Sequence, residues 1–375
     1  MNPLTAISPG PAPGARIAAG WKVEPFLHVE PQRLYNPLTD ASLRPDDPGY
    51  AVLRAAALDG GTLGELVPGV HEQLLAAGWL VEEDGTDLAS RFYLKYVSLE
   101  ANTACNQGCY FCPVAEHPRD SYFMPLDFYE DIVRQLAEYR DTIEGVSMIH
   151  YNEPTLDKRF VEQVGILLAH GLPPAVLTNA TGLTPARVDA IVKMGGIKYL
   201  SVNLSTLDRE RYKADRRGDH LKVVMKNLEY VRNVPLAKTM EIAVLGQGDD
   251  VHKRDFEEIT AHFAGSLFAV KYGEVMDRAG NVPIGLRPGT PLERLCGCEQ
   301  TGSRPLQWLH VTPHGKCVLC CQDYFDRYVI GDLHEQPLKE ILAGPEMALL
   351  RRWVYGLEEA PRDFLCRNCV YALTR

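Results

Sequence analysis

The sequence predicts an α/β protein: a partial (β/α)6 TIM-type barrel, with a winged-helix-like domain ahead of it and a cysteine-rich domain behind it. Three observations carry this reading. Strand-like and helix-like stretches alternate about six times between Tyr96 and Val275, the order that builds a parallel sheet with helices outside it. Six units fall short of the eight that close a full barrel, so the barrel is open. The ten cysteines of the 375-residue chain fall into two groups, one at the first strand of this alternation and one after its end.

Residues 1–20, rich in Pro, Gly and Ala, cannot bury enough surface to order themselves and are expected as a disordered tail. Residues 21–93 form the winged-helix-like unit. It opens on the alternating Val23, Phe26, Leu27 and Val29, continues through a helical pattern at Tyr50, Leu53 and Ala56, a short helix at 63–66 and another from Val70, and closes on a strand at Trp79-Leu80-Val81. The barrel occupies 94–285. Strands are expected at 96–100, 146–150, 175–178, 199–204, 240–245 and 267–273, with amphipathic helices at 126–139, 160–170, 185–194 and 221–231. After Gly280 the texture turns to Gly, Pro and Cys, which marks a third domain over 286–375.

Composition limits the function classes. A net charge of -10 argues against coating nucleic acid, which depends on clustered Lys and Arg. No apolar run approaches the roughly 18 residues of a membrane span, and the start lacks the apolar stretch of a secretory signal, so a cytoplasmic location is expected. Cysteines in a reducing compartment point to metal or redox chemistry rather than disulfides.

The first group, Cys105-Asn-Gln-Gly-Cys109-Tyr-Phe-Cys112-Pro, sets three thiols at C-x3-C-x2-C on the loop leaving the first strand. A cubane cluster needs four ligands, so three thiolates leave one iron open to another molecule. A structural zinc loop is the alternative, but such sites are closed by four ligands and no fourth is nearby. The loop's position at the C-terminal rim of a parallel barrel is where active sites gather.

This motif, with Phe111 before the last cysteine, resembles that of the radical SAM superfamily, and the likeness runs over about 96–275. The resemblance implies a [4Fe–4S] cluster on Cys105, Cys109 and Cys112. It also implies S-adenosylmethionine (SAM) chelated at the open iron, cleavage of SAM to a 5′-deoxyadenosyl radical, and a flavodoxin- or ferredoxin-type electron donor. Further positions match one at a time. Tyr151-Asn152-Glu153-Pro154 stands where the family has Gly-Gly-Glu. It keeps Glu153 for the SAM amino group and offers Asn152 in place of a glycine, although Glu153 also suits a helix start. Asn203 stands at the ribose-contacting position of the fourth strand. Arg216 aligns with an arginine on the SAM carboxylate, a role that suits its planar fork, while the pair Arg216-Arg217 also reads as a solvated basic patch. Asn179, at the end of the third strand, faces the cavity in similar proteins and otherwise reads as a turn residue.

In the second group, Gly315 to Cys320 gives G-x4-C in a hairpin with a glycine turn, and Cys366-Arg-Asn-Cys369 gives a late CxxC. This resembles the SPASM and twitch extensions of radical SAM enzymes. It implies one auxiliary [4Fe–4S] cluster on Cys298, Cys320, Cys366 and Cys369, with Cys296 the alternative to Cys298; a zinc ribbon is the competing reading. Cys317 and Cys321 are left over. Cys321 follows the G-x4-C ligand, where some sulfatase-maturing relatives carry a catalytic Asp. A thiol there suits return of a hydrogen atom, or simple packing.

An auxiliary cluster beside a substrate radical favours an oxidative outcome, a crosslink or a dehydrogenation. The N-terminal unit resembles the peptide-recognition element that captures leader peptides by strand addition. The leading expectation is therefore oxidative modification of a ribosomally made precursor peptide. A twitch-type dehydrogenase or epimerase of an aminocyclitol or sugar is the small-molecule alternative, suggested also by Asp277-Arg278-Ala279-Gly280-Asn281. An iron–sulfur DNA-binding redox regulator is the alternative of another class; it lacks a basic recognition helix, since Val70 to Gly78 carries no Lys or Arg.

Overall fold

The computed structural model describes residues 21–59, 69–82, 88–300 and 302–374. The tail expected over 1–20 and the short helix expected at 63–66 lie outside them. Among the described residues no helix is long and apolar enough to cross a membrane.

Six parallel strands lie side by side in chain order: Tyr96–Leu99, Gly145–Ser147, Pro174–Thr178, Ile197–Asn203, Ala237–Gly246 and Phe268–Glu274. Helices on the outer face cover them, and the sequence shows why. In Leu126–Leu136 the buried residues are Tyr129, Ile132, Val133 and Leu136, one stripe at three- and four-residue spacing, with Asp127 in the first turn and Arg134 in the last. Leu221–Val231 repeats the stripe with Leu221, Val224, Leu228 and Val231. Pro185–Lys193 starts on a proline, where the missing amide costs nothing. This is the expected open (β/α)6 barrel.

The sheet does not stop at its first strand. Trp308–Val311 pairs in parallel with Tyr96–Leu99, and Lys316–Val318 and Val329–Asp332 follow antiparallel, giving one continuous nine-stranded sheet. Gly315 makes the turn at φ 81°, a left-handed conformation that favours glycine. Beyond it, Leu295–Cys298 pairs antiparallel with Ala372–Thr374 through a bulge, and helices Leu338–Ala343 and Pro345–Val354 pack into the same apolar core as the barrel.

The N-terminal unit has a core of its own, built from Val23, Leu27, Leu34, Leu43, Tyr50, Leu53 and Trp79. It holds a three-stranded antiparallel sheet (His28–Glu30, Arg33–Asn36, Ala41–Leu43), helices Tyr50–Leu58 and Val70–Ala76, and a pairing of Trp21–Val23 with Leu80–Glu82. It docks on the C-terminal region through buried polar contacts. His28 Nε2 lies 2.9 Å from the Tyr355 hydroxyl, and Gln307 Nε2 donates to the Tyr35 hydroxyl at 2.7 Å.

Candidate active site and metal centres

Cys105, Cys109 and Cys112 sit on the loop at the C-terminal end of the first barrel strand. Helix Arg209–Arg216 grips that loop. The helix starts at Asp208, whose carboxylate accepts from the Arg211 amide, and it ends at Arg217 in a left-handed conformation, φ 49°. Its last carbonyls point at the loop: Gly108 N donates to Arg216 O at 2.8 Å and Tyr110 N to Asp215 O at 3.0 Å. Gln107 Nε2 donates to the Tyr212 hydroxyl at 2.7 Å. Arg216, 2 % exposed, donates through Nη1 to Cys109 Sγ at 3.1 Å, and through Nη2 to Asn203 Oδ1 at 2.7 Å and Ser205 Oγ at 2.6 Å. Its guanidinium lies 4.9 Å from the Phe111 ring centroid. The basic pair is thus split: Arg216 is buried against the cysteine loop, while exposed Arg217 bonds to Ala115 O and Glu116.

Glu153 is buried where the second and third strands end. Its carboxylate accepts from Thr155 N at 3.0 Å, Thr155 Oγ1 at 2.5 Å, Thr178 Oγ1 at 2.6 Å and Asn179 N at 2.7 Å, while its own amide donates to Ala104 O beside Cys105. Burial pushes its pKa up against the pull of these donors. Asn179 Nδ2 donates to Asn106 Oδ1 at 2.8 Å, and its Oδ1 receives the Thr181 amide and hydroxyl, so it is a turn residue and a support of the cysteine loop at once. Asn152 folds back on its own turn, accepting from His150 N at 3.1 Å.

In the C-terminal region Cys298, Cys320, Cys366 and Cys369 line one small cavity with Leu319, Val354 and Leu365. Cys296 is not among its walls; the bulge between Leu295 and Gly297 turns the strand so that residues two apart do not share one orientation. Cys317 is buried in the main core. Among the described residues no three His, Cys, Asp or Glu side chains converge to chelate a single ion. A cubane does not require it, because each thiolate takes its own iron.

A match to the radical SAM superfamily spans residues 99–259, and a match to an iron–sulfur cluster-binding domain, SPASM, spans 298–370. The chain thus carries a radical SAM domain with a C-terminal SPASM domain behind it. A GTP 3′,8-cyclase of Stenotrophomonas maltophilia is 25% identical over 193 residues, which are 50% of this chain and 56% of the cyclase; the chain thus spans about half the length of that relative. An S-adenosyl-L-methionine-dependent 2-deoxy-scyllo-inosamine dehydrogenase of Niallia circulans is 21% identical over 277 residues, 73% of this chain and 91% of the dehydrogenase. Among solved structures, Streptococcus suis SuiB bound to precursor peptide SuiA gives a TM-score of 0.53 at 12% identity, covering 88% of this chain and 90% of SuiB. The structure of anSMEcpe with bound AdoMet gives 0.51 at 13%, covering 70% and 80%. These structural likenesses concern the fold.

A radical SAM domain implies a SAM-binding [4Fe–4S] cluster, and a SPASM domain implies auxiliary iron–sulfur clusters. The donors fit such groups. Backbone amides aim at the thiols, from Gln107 to Cys105, Val114 to Cys112, Gln300 and Arg304 to Cys298, and Tyr371 and Ala372 to Cys369. Amide-to-sulfur hydrogen bonds are the usual support of cluster thiolates. Burial pushes Cys105 up to about 12, Cys112 to about 11 and Cys369 to about 12, so these thiols are protonated until a metal displaces the proton. Arg304 Nε and Gln322 Oε1, on residues lining the SPASM cavity, are buried without a partner in the protein.

Between the radical SAM and SPASM cysteine sites the sequence points to Cys321 and to the Asp277-Arg278 segment, but not to Tyr151, His150 and His310. The Tyr151 hydroxyl donates to Cys321 O at 2.5 Å. Arg278 lies beside Tyr151, Cys321 and Cys112, on a turn whose Arg278 and Ala279 both take left-handed φ of 54°, and Asn281 Nδ2 pins that turn to Gln322 O at 2.7 Å. The His150 and His310 rings are 5.7 Å apart; both His310 nitrogens are buried without a partner in the protein, and burial holds that ring neutral, far below its ordinary pKa. The one available signal was the position of His150 and Tyr151 just after the second strand.

Proposed function

We propose that this chain is a peptide-modifying radical SAM enzyme in which Cys105, Cys109 and Cys112 hold the SAM-binding cluster, and Cys298, Cys320, Cys366 and Cys369 hold one auxiliary [4Fe–4S] cluster. When bound, the first cluster and SAM supply a 5′-deoxyadenosyl radical that takes a hydrogen atom from the substrate. The protein's own part is placement. Asn203 and Asn179 lie at the strand ends beside the cysteine loop for the SAM methionyl and ribose groups, and Glu153 anchors Thr178 and Asn179 there through its carboxylate. Asn152 shapes the turn that carries Glu153. Arg216 holds the loop through Cys109 Sγ and the face of the Phe111 ring. The space between the two cysteine sites, bounded by Tyr151, Arg278 and Cys321, receives the substrate, and Cys321 is the thiol placed to return a hydrogen atom if the product requires one.

The observation that carries the peptide reading is the N-terminal unit. Its antiparallel sheet ends in short edge strands, a form that accepts an added peptide strand, and it is fixed to the SPASM region by the His28–Tyr355 and Tyr35–Gln307 contacts. The likeness to SuiB extends over 88% of this chain, and SuiB was solved with its precursor peptide. The test is to incubate anaerobically reconstituted protein, SAM and a reduced flavodoxin- or ferredoxin-type donor with a short peptide encoded beside its gene. Leader binding and a mass change of the core peptide are expected. Neither binding nor a mass change would reject the reading. A second reading, dehydrogenation or epimerisation of an aminocyclitol or sugar, is favoured by the 91% coverage of the Niallia circulans dehydrogenase; an oxidised or inverted aminocyclitol in place of a changed peptide would establish it.

A further inference from the structure

We infer that Arg216 sets the reduction potential of the cluster at Cys105, Cys109 and Cys112 through the hydrogen bond its guanidinium gives to the Cys109 sulfur. The inference rests on the ligand assignment proposed above. It concerns a different property of the same residue from the SAM contact that the family resemblance implies.

The geometry leaves the guanidinium little freedom. Nη1 is 3.1 Å from Cys109 Sγ, while Nη2 is held by Asn203 Oδ1 and Ser205 Oγ at 2.7 and 2.6 Å. One face lies over Phe111, the residue before Cys112, and the Tyr212 ring centroid is 5.9 Å away. The side chain is 2 % exposed, so water does not compete for its donors. The backbone of the same residue also holds the loop, through Gly108 N to Arg216 O at 2.8 Å. Motion of the loop away from the guanidinium would therefore break both contacts together.

An arginine remains a cation at every working pH. A charge-assisted donor on a thiolate sulfur withdraws electron density from the iron it ligates, and it stabilises the more negative, reduced cluster more than the oxidised one. One electron enters from the reductant and no proton moves, because Arg216 keeps its proton in both states. Removing the donor should lower the potential and make the first electron harder to deliver. Ligand-supporting contacts of this kind commonly tune metal centres. Arg216 acts through Cys109, which makes it a positioning residue.

The test is a potentiometric titration of the full, anaerobically reconstituted chain without SAM, followed by electron paramagnetic resonance. The first-site signal is identified as the one lost, with about four irons, in the Cys105→Ala, Cys109→Ala, Cys112→Ala triple variant. R216Q is expected to keep its iron and to shift the one-electron equilibrium at least tenfold toward the oxidised form, about 59 mV lower. R216K, which keeps the charge but loses the fork, should fall between R216Q and the wild type. S205A, which frees one arm of the guanidinium, should move the midpoint the same way by less. A fully loaded R216Q with an unchanged midpoint overturns the inference. If R216Q fails to load, unchanged midpoints in both R216K and S205A overturn it. A triple variant that retains all its iron overturns the ligand assignment and this inference together, whereas loss of iron in that variant with no Arg216 effect overturns the inference alone.

Discussion

Lowering the pH should loosen the N-terminal unit through a single imidazole. His28 is 3 % exposed, sits 2.9 Å from the Tyr355 hydroxyl and stacks on its ring at 5.9 Å. Burial takes its pKa from 6.5 down to about 4. The unfolded chain therefore binds a proton at a pH where the folded chain does not. The stability this group contributes is whole above pH 6.5, falls as the pH drops below that, and is gone below about 4. The gap between 6.5 and about 4, at about 1.36 kcal/mol per pH unit, is worth about 3 kcal/mol in full. At pH 5.5 the same linkage removes about 1 kcal/mol. Urea unfolding of the anaerobic protein at pH 7.5 and 5.5, for wild type and H28Q, isolates this contribution because every other titrating group is common to both. The wild type should lose about 1 kcal/mol more than H28Q between the two pH values. Equal losses would refute the reasoning.

Cys298→Ser should lose about four of about eight irons while Cys296→Ser keeps them all, as read by iron and sulfide analysis, because only Cys298 of the two lines the cavity with Cys320, Cys366 and Cys369. Glu153→Gln puts an amide donor against a carboxylate site filled by four donors, and should cost about 1–3 kcal/mol in unfolding free energy. Gly315→Ala places a Cβ 2.8 Å from Phe128 Cζ at a φ of 81°; thermal unfolding should show a loss of about 1 kcal/mol or more.

The barrel was legible in the sequence because its signal is local. Each strand is a short apolar run and each helix a stripe of fixed period, and expected and observed elements agree to within a few residues in most cases. The strands Arg33–Asn36, Ala41–Leu43, Leu295–Cys298 and Ala372–Thr374 left no such trace. They are three or four residues long and exist through pairing with partners, in one case 74 or more residues away. Helix Pro345–Val354 was hidden by the Gly344-Pro345 that opens it, which reads as loop although proline is well placed in a first turn. The cysteine groups were visible because their spacing is written into the sequence. The contact of Arg216 with Cys109 joins residues 107 apart, and nothing at either position announces the other. The burial that separates Arg216 from Arg217 is likewise a property of the packed helix and not of the pair.

The pairing of Trp308–Val311 with Tyr96–Leu99 has a consequence for how this architecture can be cut and recombined. The boundary near 285 is a change of sequence texture, yet backbone hydrogen bonds and the Tyr96–Trp308 ring contact at 4.8 Å run straight across the fold on either side of it. A fragment ending there would strip the strand that leads into the cysteine loop of one neighbour and expose its amides as a template for other chains. Exchanging the C-terminal region for another's would likewise succeed only where the incoming strand matches this register, so grafts should take their splice points outside the Trp308–Val311 hairpin.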